Sequence, residues 1–278
     1  MKVKSRVVFI MEPRQIETIL SSLGISLKFN AKDTMQVFNL FTNTEEYLKL
    51  IEKLQSLGID YSELTEEVYS QEEIESAEFL QIIPNVYCGY PQPEGEISFR
   101  EVSYDINSKC PKCEQGKIQN APLRVLKPKM GKNDIAALHW IYEFVITFRL
   151  KELISVEGLT GCEFWPLIDH RRNTKLDDVY QLFFTRMMPP MSRQTNIIRA
   201  DGIEMCDCGK MGYTIKGIPV YERQAINMNA LQDFNKSYEW LGGGKTTWQM
   251  QIVSKRVYNL FVKHKIRGVR FEPVKVID

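Results

Sequence analysis

Six cysteines, at 88, 110, 113, 162, 206 and 208, offer the most chemistry in this 278-residue chain. Four form close pairs, Cys110-Pro-Lys-Cys113 and Cys206-Asp-Cys208. A tight turn lets two thiolates point at one tetrahedral ion, about 2.3 Å from each sulfur. Gly116 after the first pair, and Gly209 and Gly212 after the second, suit backbone that turns sharply. The expectation is one structural Zn2+ held by Cys110, Cys113, Cys206 and Cys208. Two readings compete: two unrelated turns with reduced thiols, and a thioredoxin-like redox pair. No strand leads directly into Cys110 and no helix plainly starts there, which counts against the redox pair. Cys88 and Cys162, in the contexts VYCGY and GCEFW, read as small buried side chains.

Other reactive patterns are weaker. Gly242-Gly-Gly-Lys-Thr-Thr247 resembles the end of a phosphate-binding loop, but Glu239 stands where the full pattern needs glycine, so it reads as a flexible loop. His139, His170 and His264 show no ligand spacing, and nothing near Cys162 activates a thiolate for a Cys–His nucleophile. Asp169-His-Arg-Arg-Asn173 and Lys263-His-Lys-Ile-Arg-Gly-Val-Arg270 are basic clusters able to contact phosphate, with a solvated turn and a helix terminus as the simpler readings. Met187-Met-Pro-Pro-Met191 reads as an extended connection. No paired carboxylates, facial triad or nucleophile elbow stands out, so no catalytic residue is expected.

Composition is that of a globular protein, 44% apolar and 26% charged, which excludes disordered, collagen-like and low-complexity chains. No apolar run approaches 18 residues, and the apolar run before Glu12 is short, so neither a membrane span nor a secretory signal is expected. The location expected is the cytoplasm. The net charge of +1 conceals an uneven balance, −7 over residues 1–100 and +8 over 101–278. Seven glutamates and no base fall between Glu63 and Glu78. That run is either a solvated helix face or an acidic surface for a basic partner, with Glu66, Glu67, Glu72 and Glu73 as candidate contacts.

The elements that position the cysteines follow a repeat. Residues 145–169 match 252–276 at an offset of 107: Arg149 on Arg256, Leu153 on Leu260, Gly161 on Gly268, Phe164 on Phe271 and Pro166 on Pro273. Upstream the offset is 96 to 97, with Cys110 on Cys206, Ile118 on Ile215, and Tyr142-Glu143-Phe144 on Tyr238-Glu239-Trp240. The difference is assigned to an insertion at 241–251. Apolar residues at i, i+3 and i+4 predict a helix in each unit. In the N-terminal region Ser5–Met11 and Met35–Phe41 read as strands and Thr44–Leu57 as a helix ended by Gly58. Ser70 and Glu73 form a candidate capping box, and Tyr90-Pro-Gln-Pro-Glu-Gly a linker. The fold class expected is α+β. An N-terminal α/β layer with an acidic helix (1–92) precedes two related strand-helix-strand units (93–201 and 202–278), bridged by a split zinc-ribbon-like four-cysteine site.

The two Cys pairs and the repeated Leu-x-x-Leu … Gly-x-x-Phe-x-Pro ending resemble the bacterial double-CXXCG motif proteins, and are similar to the broader group of polymorphic-toxin immunity proteins. The resemblance covers roughly residues 70–276. The pairs depart from its pattern, reading Cys-Pro-Lys-Cys-Glu and Cys-Asp-Cys-Gly. It implies a non-enzymatic protein that binds and neutralises a cognate toxin in the cytoplasm, with zinc holding the fold. The alternative is a zinc-ribbon nucleic-acid-binding protein.

Overall fold

The computed structural model describes residues 1–95, 98–105, 107–113, 115–199, 206–208, 213–242 and 247–278. The chain divides into two compact units, Met1–Glu73 and Ile74–Asp278.

In the first unit, strict alternation in β1 (Lys2–Ile10) buries Ser5, Val7 and Phe9 and leaves Lys2, Arg6 and Ile10 in solvent. Helix α1 (Pro13–Leu23) starts with proline in its first turn and stops at left-handed Gly24. Strand β2 (Met35–Phe41) leads to α2 (Glu45–Ser56), whose cap Thr44 accepts a hydrogen bond from the Tyr47 amide. Its apolar stripe of Leu50 and Leu54 packs with Ile16, Leu20, Val7 and Phe38, as the periodicity predicts. Strand β3 (Tyr61–Val68) completes an antiparallel sheet of order β2-β1-β3. The acidic run is therefore not one helix. Pairing along nearly all of β1 supplies the backbone bonds that make 61–68 a strand, against the weak strand preference of glutamate. Only α3 (Gln71–Ser76) is helical, and its capping box forms: the Ser70 amide donates to Glu73 and the Glu73 amide to Ser70 Oγ.

The second unit holds β4 (Phe79–Pro84), β5 (Pro91–Gln92), α4 (Ser98–Ser103), β6 (Tyr104–Asp105), β7 (Ile118–Gln119), β8 (Arg124–Val125) and β9 (Ile135–Ala137). It continues with β10 (Phe144–Thr147), α5 (Phe148–Val156), β11 (Cys162–Asp169), β12 (Lys175–Phe184), β13 (Arg186–Met187) and β14 (Ile197–Arg199). Then come β15 (Tyr213–Ile215), β16 (Val220–Glu222), α6 (Arg223–Met228), β17 (Phe234–Lys236), β18 (Gln251–Ser254), α7 (Lys255–Lys263) and β19 (Val269–Ile277). They build two six-stranded sheets, β5-β8-β11-β12-β10-β9 and β13-β17-β18-β4-β19-β16.

The two sheets carry matching registers. Val145 lies opposite Gln181 and Ile252 opposite Gln81; Phe164 opposite Leu182 and Phe271 opposite Ile82. At one side Ile168 meets Arg124 and Lys275 meets Val220, both parallel. At the other, Ile146 meets Ile135 and Val253 meets Phe234, both antiparallel. The hydrogen bonds relocate the insertion. Leu138 N donates to Glu143 O where Ser237 N donates to Met250 O, so eight extra residues enter this turn. Tyr142-Glu143-Phe144 and Tyr238-Glu239-Trp240 therefore do not occupy equivalent places, despite their likeness.

Two further expectations change. Residues 91–92 are not a linker: they are buried and paired with β8, and β4 is a central strand of a second-unit sheet. The break falls at 73/74 rather than near 92. Phe164 and Phe271 sit at matching places, as the repeat predicts, both partly buried at the rim of the core.

The sheets interlock through crossed contacts. Gly161, before β11, backs onto β17, where an added Cβ would lie 2.4 Å from Phe234 O. Gly268, before β19, backs onto β9, 1.8 Å from Ile135 O. Arg149 of α5 bonds Asp134 and the carbonyl of His264 ending α7; Arg256 of α7 bonds Asp233 and the carbonyl of Glu157 ending α5. Leu150, Ile154, Val257 and Phe261 fill the shared core.

Candidate metal centre

Each cysteine pair rides at the end of a short antiparallel ribbon. In β6–β7 Tyr104 pairs with Gln119 and Asp105 with Ile118; in β14–β15 Ile197 pairs with Ile215 and Arg199 with Tyr213. The first turn is built from local side-chain bonds. Asp105 Oδ1 accepts from the Asn107 amide, and Ser108 Oγ donates to Asp105 O and accepts from the Ile118 amide. Cys110 N donates to Gln115 O. Gly116 has φ of 81°, and a Cβ there would lie 3.2 Å from Ser108 O, so its freedom is needed. Gly209 and Gly212 lie outside the described residues.

The ribbons meet through their sulfurs. All four Sγ atoms of Cys110, Cys113, Cys206 and Cys208 lie within 4.8 Å of one another. Cys110 Sγ is 3.5 Å from Cys206 Sγ, and Cys113 Sγ 3.5 Å from Cys208 Sγ. A tetrahedron of four bonds of about 2.3 Å has edges of about 3.8 Å, so the cluster is zinc-sized. A disulfide needs about 2.05 Å, and all six cysteines are free. The residues fit a thiophilic ion such as zinc, and bring together segments about 96 positions apart.

The surroundings differentiate the thiols. Amides of Cys113 and Lys112 point at Cys110 and hold its pKa down at about 6. Cys113, fully covered, is pushed up to about 12 chiefly by burial. At Cys206 the Cys208 amide lowers the value, while burial and the Cys110 and Cys208 thiols raise it, leaving it above the usual thiol. Thr247 is buried against the site, its Oγ1 donating to Cys113 O, and Lys117 Nζ donates to Thr247 O. Gly242 is anchored too, its amide donating to Tyr213 O. Both ends of the glycine-rich segment thus rest on the cysteine ribbons; residues 243–246 lie outside the described residues. Lys112 and Asp207 form an exposed ion pair across the ribbons at 2.5 Å, where solvent screening leaves it little energy.

The other expected residues are dispersed. Cys88 and Cys162 are held near 12 by burial, consistent with inert packing thiols. Cys162 opens β11 and His170 follows its end, roughly 25 Å away at strand rise, so they form no catalytic pair. His139 is stacked between Tyr87 and Tyr90, and His264 ends α7. Glu66 is exposed on edge strand β3 and Glu72 on α3. Glu67 accepts from Tyr69 OH, and Glu73 is engaged by Ser70 and the chain's amino terminus. Glu63, not singled out before, accepts 2.6 Å bonds from buried Ser5 and from Tyr47. Burial, and then this carboxylate, push the Tyr47 pKa up to about 12.

Among the described residues no helix is long and apolar enough to cross a membrane. No protein-family model matches the chain, and no curated protein matches it. The resemblance of the cysteine pairs therefore stands as a likeness of motifs, without a family assignment.

Proposed function

We propose that this chain is a non-enzymatic, zinc-clamped immunity-type protein that binds and neutralises a cognate bacterial toxin in the cytoplasm. The observation that carries the reading is the closed four-cysteine cluster. Four protein thiolates fill a tetrahedral sphere and leave no position for water or substrate, which is the pattern of a structural rather than a catalytic zinc. When bound, the ion supplies folding free energy. The chain's own part is to hold two ribbons in fixed relation and so present a rigid surface.

In this reading the two Cys ribbons are halves of a split zinc ribbon, and the matching registers mark a duplicated unit. The repeat boundaries then fall at 79–169 and 179–277, with the first strand of each copy, β4 or β12, inserted in the other copy's sheet. The acidic residues Glu66 and Glu72 supply steering charge toward a basic toxin.

Co-expression with the product of each neighbouring open reading frame tests the reading. Growth rescued from a toxic neighbour, with a complex isolated at one-to-one ratio, is expected. A folded, zinc-loaded protein that protects against none of them overturns it.

A further inference from the structure

A second surface of the Ile74–Asp278 unit has a chemistry that toxin neutralisation does not use. A continuous ladder of rings runs Phe99–Trp140–Tyr90–His139–Tyr87–Tyr142. Its tightest steps are Tyr87–His139 and Tyr90–His139 at 4.5 Å and Tyr90–Trp140 at 4.7 Å between centroids. Phe99 anchors one end in the core at 1% exposure, but Tyr87, Tyr90 and Trp140 reach the surface, 37%, 39% and 38% exposed.

The backbone is bent to hold it there. Trp140 and Tyr142 both have positive φ, 69° and 54°, in one six-residue turn between β9 and β10. Bulky residues rarely occupy that region, and such conformations persist only where surrounding structure enforces them, most often at functional sites. The matching turn between β17 and β18 carries the eight-residue insertion instead, so the feature is no by-product of the shared topology.

Two basic segments converge beside the ladder. Residues 124–132 hold Arg124, Lys127, Lys129 and Lys132 and no acid, and the three lysines are exposed. Pro91 pairs with Val125, and Lys129 N donates to Cys88 O, which lays this loop along the chain that carries Tyr87 and Tyr90. His170 N donates to Val125 O, which brings in the exposed Arg171 and Arg172. Of the acids nearby, Asp169 accepts from the amides of Arg171 and Arg172, Asp134 pairs with Arg149 and Glu143 with Lys236, while Asp177 and Asp178 are exposed on β12. Glu101 lies on α4 with Phe99, and Glu94 accepts a bond from Gln92.

We infer that this aromatic ladder and its flanking cations form a binding surface for single-stranded nucleic acid. Unstacked bases pack on the exposed rings of Tyr87, Tyr90 and Trp140 whatever their identity, while lysines and arginines track the phosphates. A duplex offers phosphates but hides its base faces, so the ladder selects single strands. The inference is independent of the toxin-neutralising reading, and either can fail alone.

The test is fluorescence anisotropy of zinc-loaded protein with labelled 12-nucleotide oligothymidine, oligouridine, a duplex of equal length, and a 12-residue polyglutamate peptide. Binding to one or both single strands, in preference to duplex and peptide, is expected. With four phosphate contacts the affinity should fall roughly 50-fold between 50 and 200 mM salt. Trp140→Gly removes the ring while easing the left-handed backbone, and should weaken binding about 10-fold with fold and zinc content intact. Lys127→Glu with Lys129→Glu should flatten the salt dependence, whereas Lys263→Glu with Lys265→Glu, an equal charge change on and beyond α7, should not. No binding to either oligonucleotide at low salt overturns the inference. So does binding that Trp140→Gly and Tyr90→Leu leave unchanged, or equal affinity for duplex. Preference for polyglutamate, lost in Trp140→Gly, would assign the surface to an acidic protein segment instead.

Discussion

Replacing Gly268 by alanine probes the interlocked sheets at their closest contact. Its φ is 121°, and the new Cβ would lie 1.8 Å from Ile135 O and 2.9 Å from Ile135 C, backbone atoms of β9 that cannot rotate aside. Relief requires moving either β19 or β9 by more than an ångström, in a core where Ile135 is fully buried. Gly161→Ala makes the matching clash with Phe234 O at 2.4 Å and φ of 91°, so it should be severe but milder. Gly158 is the internal control: its φ is 65°, yet nothing lies within 4 Å. There the cost is the left-handed conformation alone, about 1–2 kcal/mol. For Gly268→Ala the clash adds to it, and a loss of ~4 kcal/mol or more, or failure to fold, is expected. Urea unfolding followed by near-ultraviolet circular dichroism gives the order Gly268→Ala > Gly161→Ala > Gly158→Ala. A Gly268→Ala protein as stable as Gly158→Ala would refute the packing of β19 against β9.

Asp233 accepts bonds from the Thr160 amide, Ser254 Oγ and Arg256. Its change to Ala should cost ~1–3 kcal/mol in the same unfolding assay, because three part-buried bonds lose their shared acceptor. Phe261→Ala, in the buried core, should cost ~3–5 kcal/mol, and Phe271→Ala, at the rim, clearly less. Thr44→Ala should remove the cap of α2 and lower stability by ~1 kcal/mol. With a toxin in hand, Glu66→Lys and Glu72→Lys should slow association most at low salt, as stopped-flow fluorescence will read, with little change in stability.

What the sequence made legible was local or periodic. Two thiols three residues apart mark a candidate metal turn. Leu50 and Leu54, or Val257 and Phe261, announce a buried helix face, and Ser70 with Glu73 a helix start. What it concealed depended on partners far along the chain. Residues 61–68 are rich in glutamate and become a strand only because β1 offers a full row of backbone partners. Strand β4 takes its place between β18 and β19, some 170 residues away, so no local signal could move it out of the N-terminal region. The likeness of Tyr142-Glu143-Phe144 to Tyr238-Glu239-Trp240 suggests one alignment, whereas the bonds of Leu138 and Ser237 set another. The aromatic ladder joins Tyr87 and Tyr90 to His139 and Trp140, which pattern reading along the chain does not connect.

Metal content tests most directly whether the four-cysteine cluster acts as a metal clamp. Protein purified without chelator and analysed by inductively coupled plasma mass spectrometry should carry about one zinc per chain. Changing Cys110 and Cys206 together to serine removes one ligand from each ribbon and should abolish it, with a loss of thermal stability matched by chelating the unmodified protein. No transition metal in the unmodified protein, or zinc fully retained in the double variant, would contradict the account.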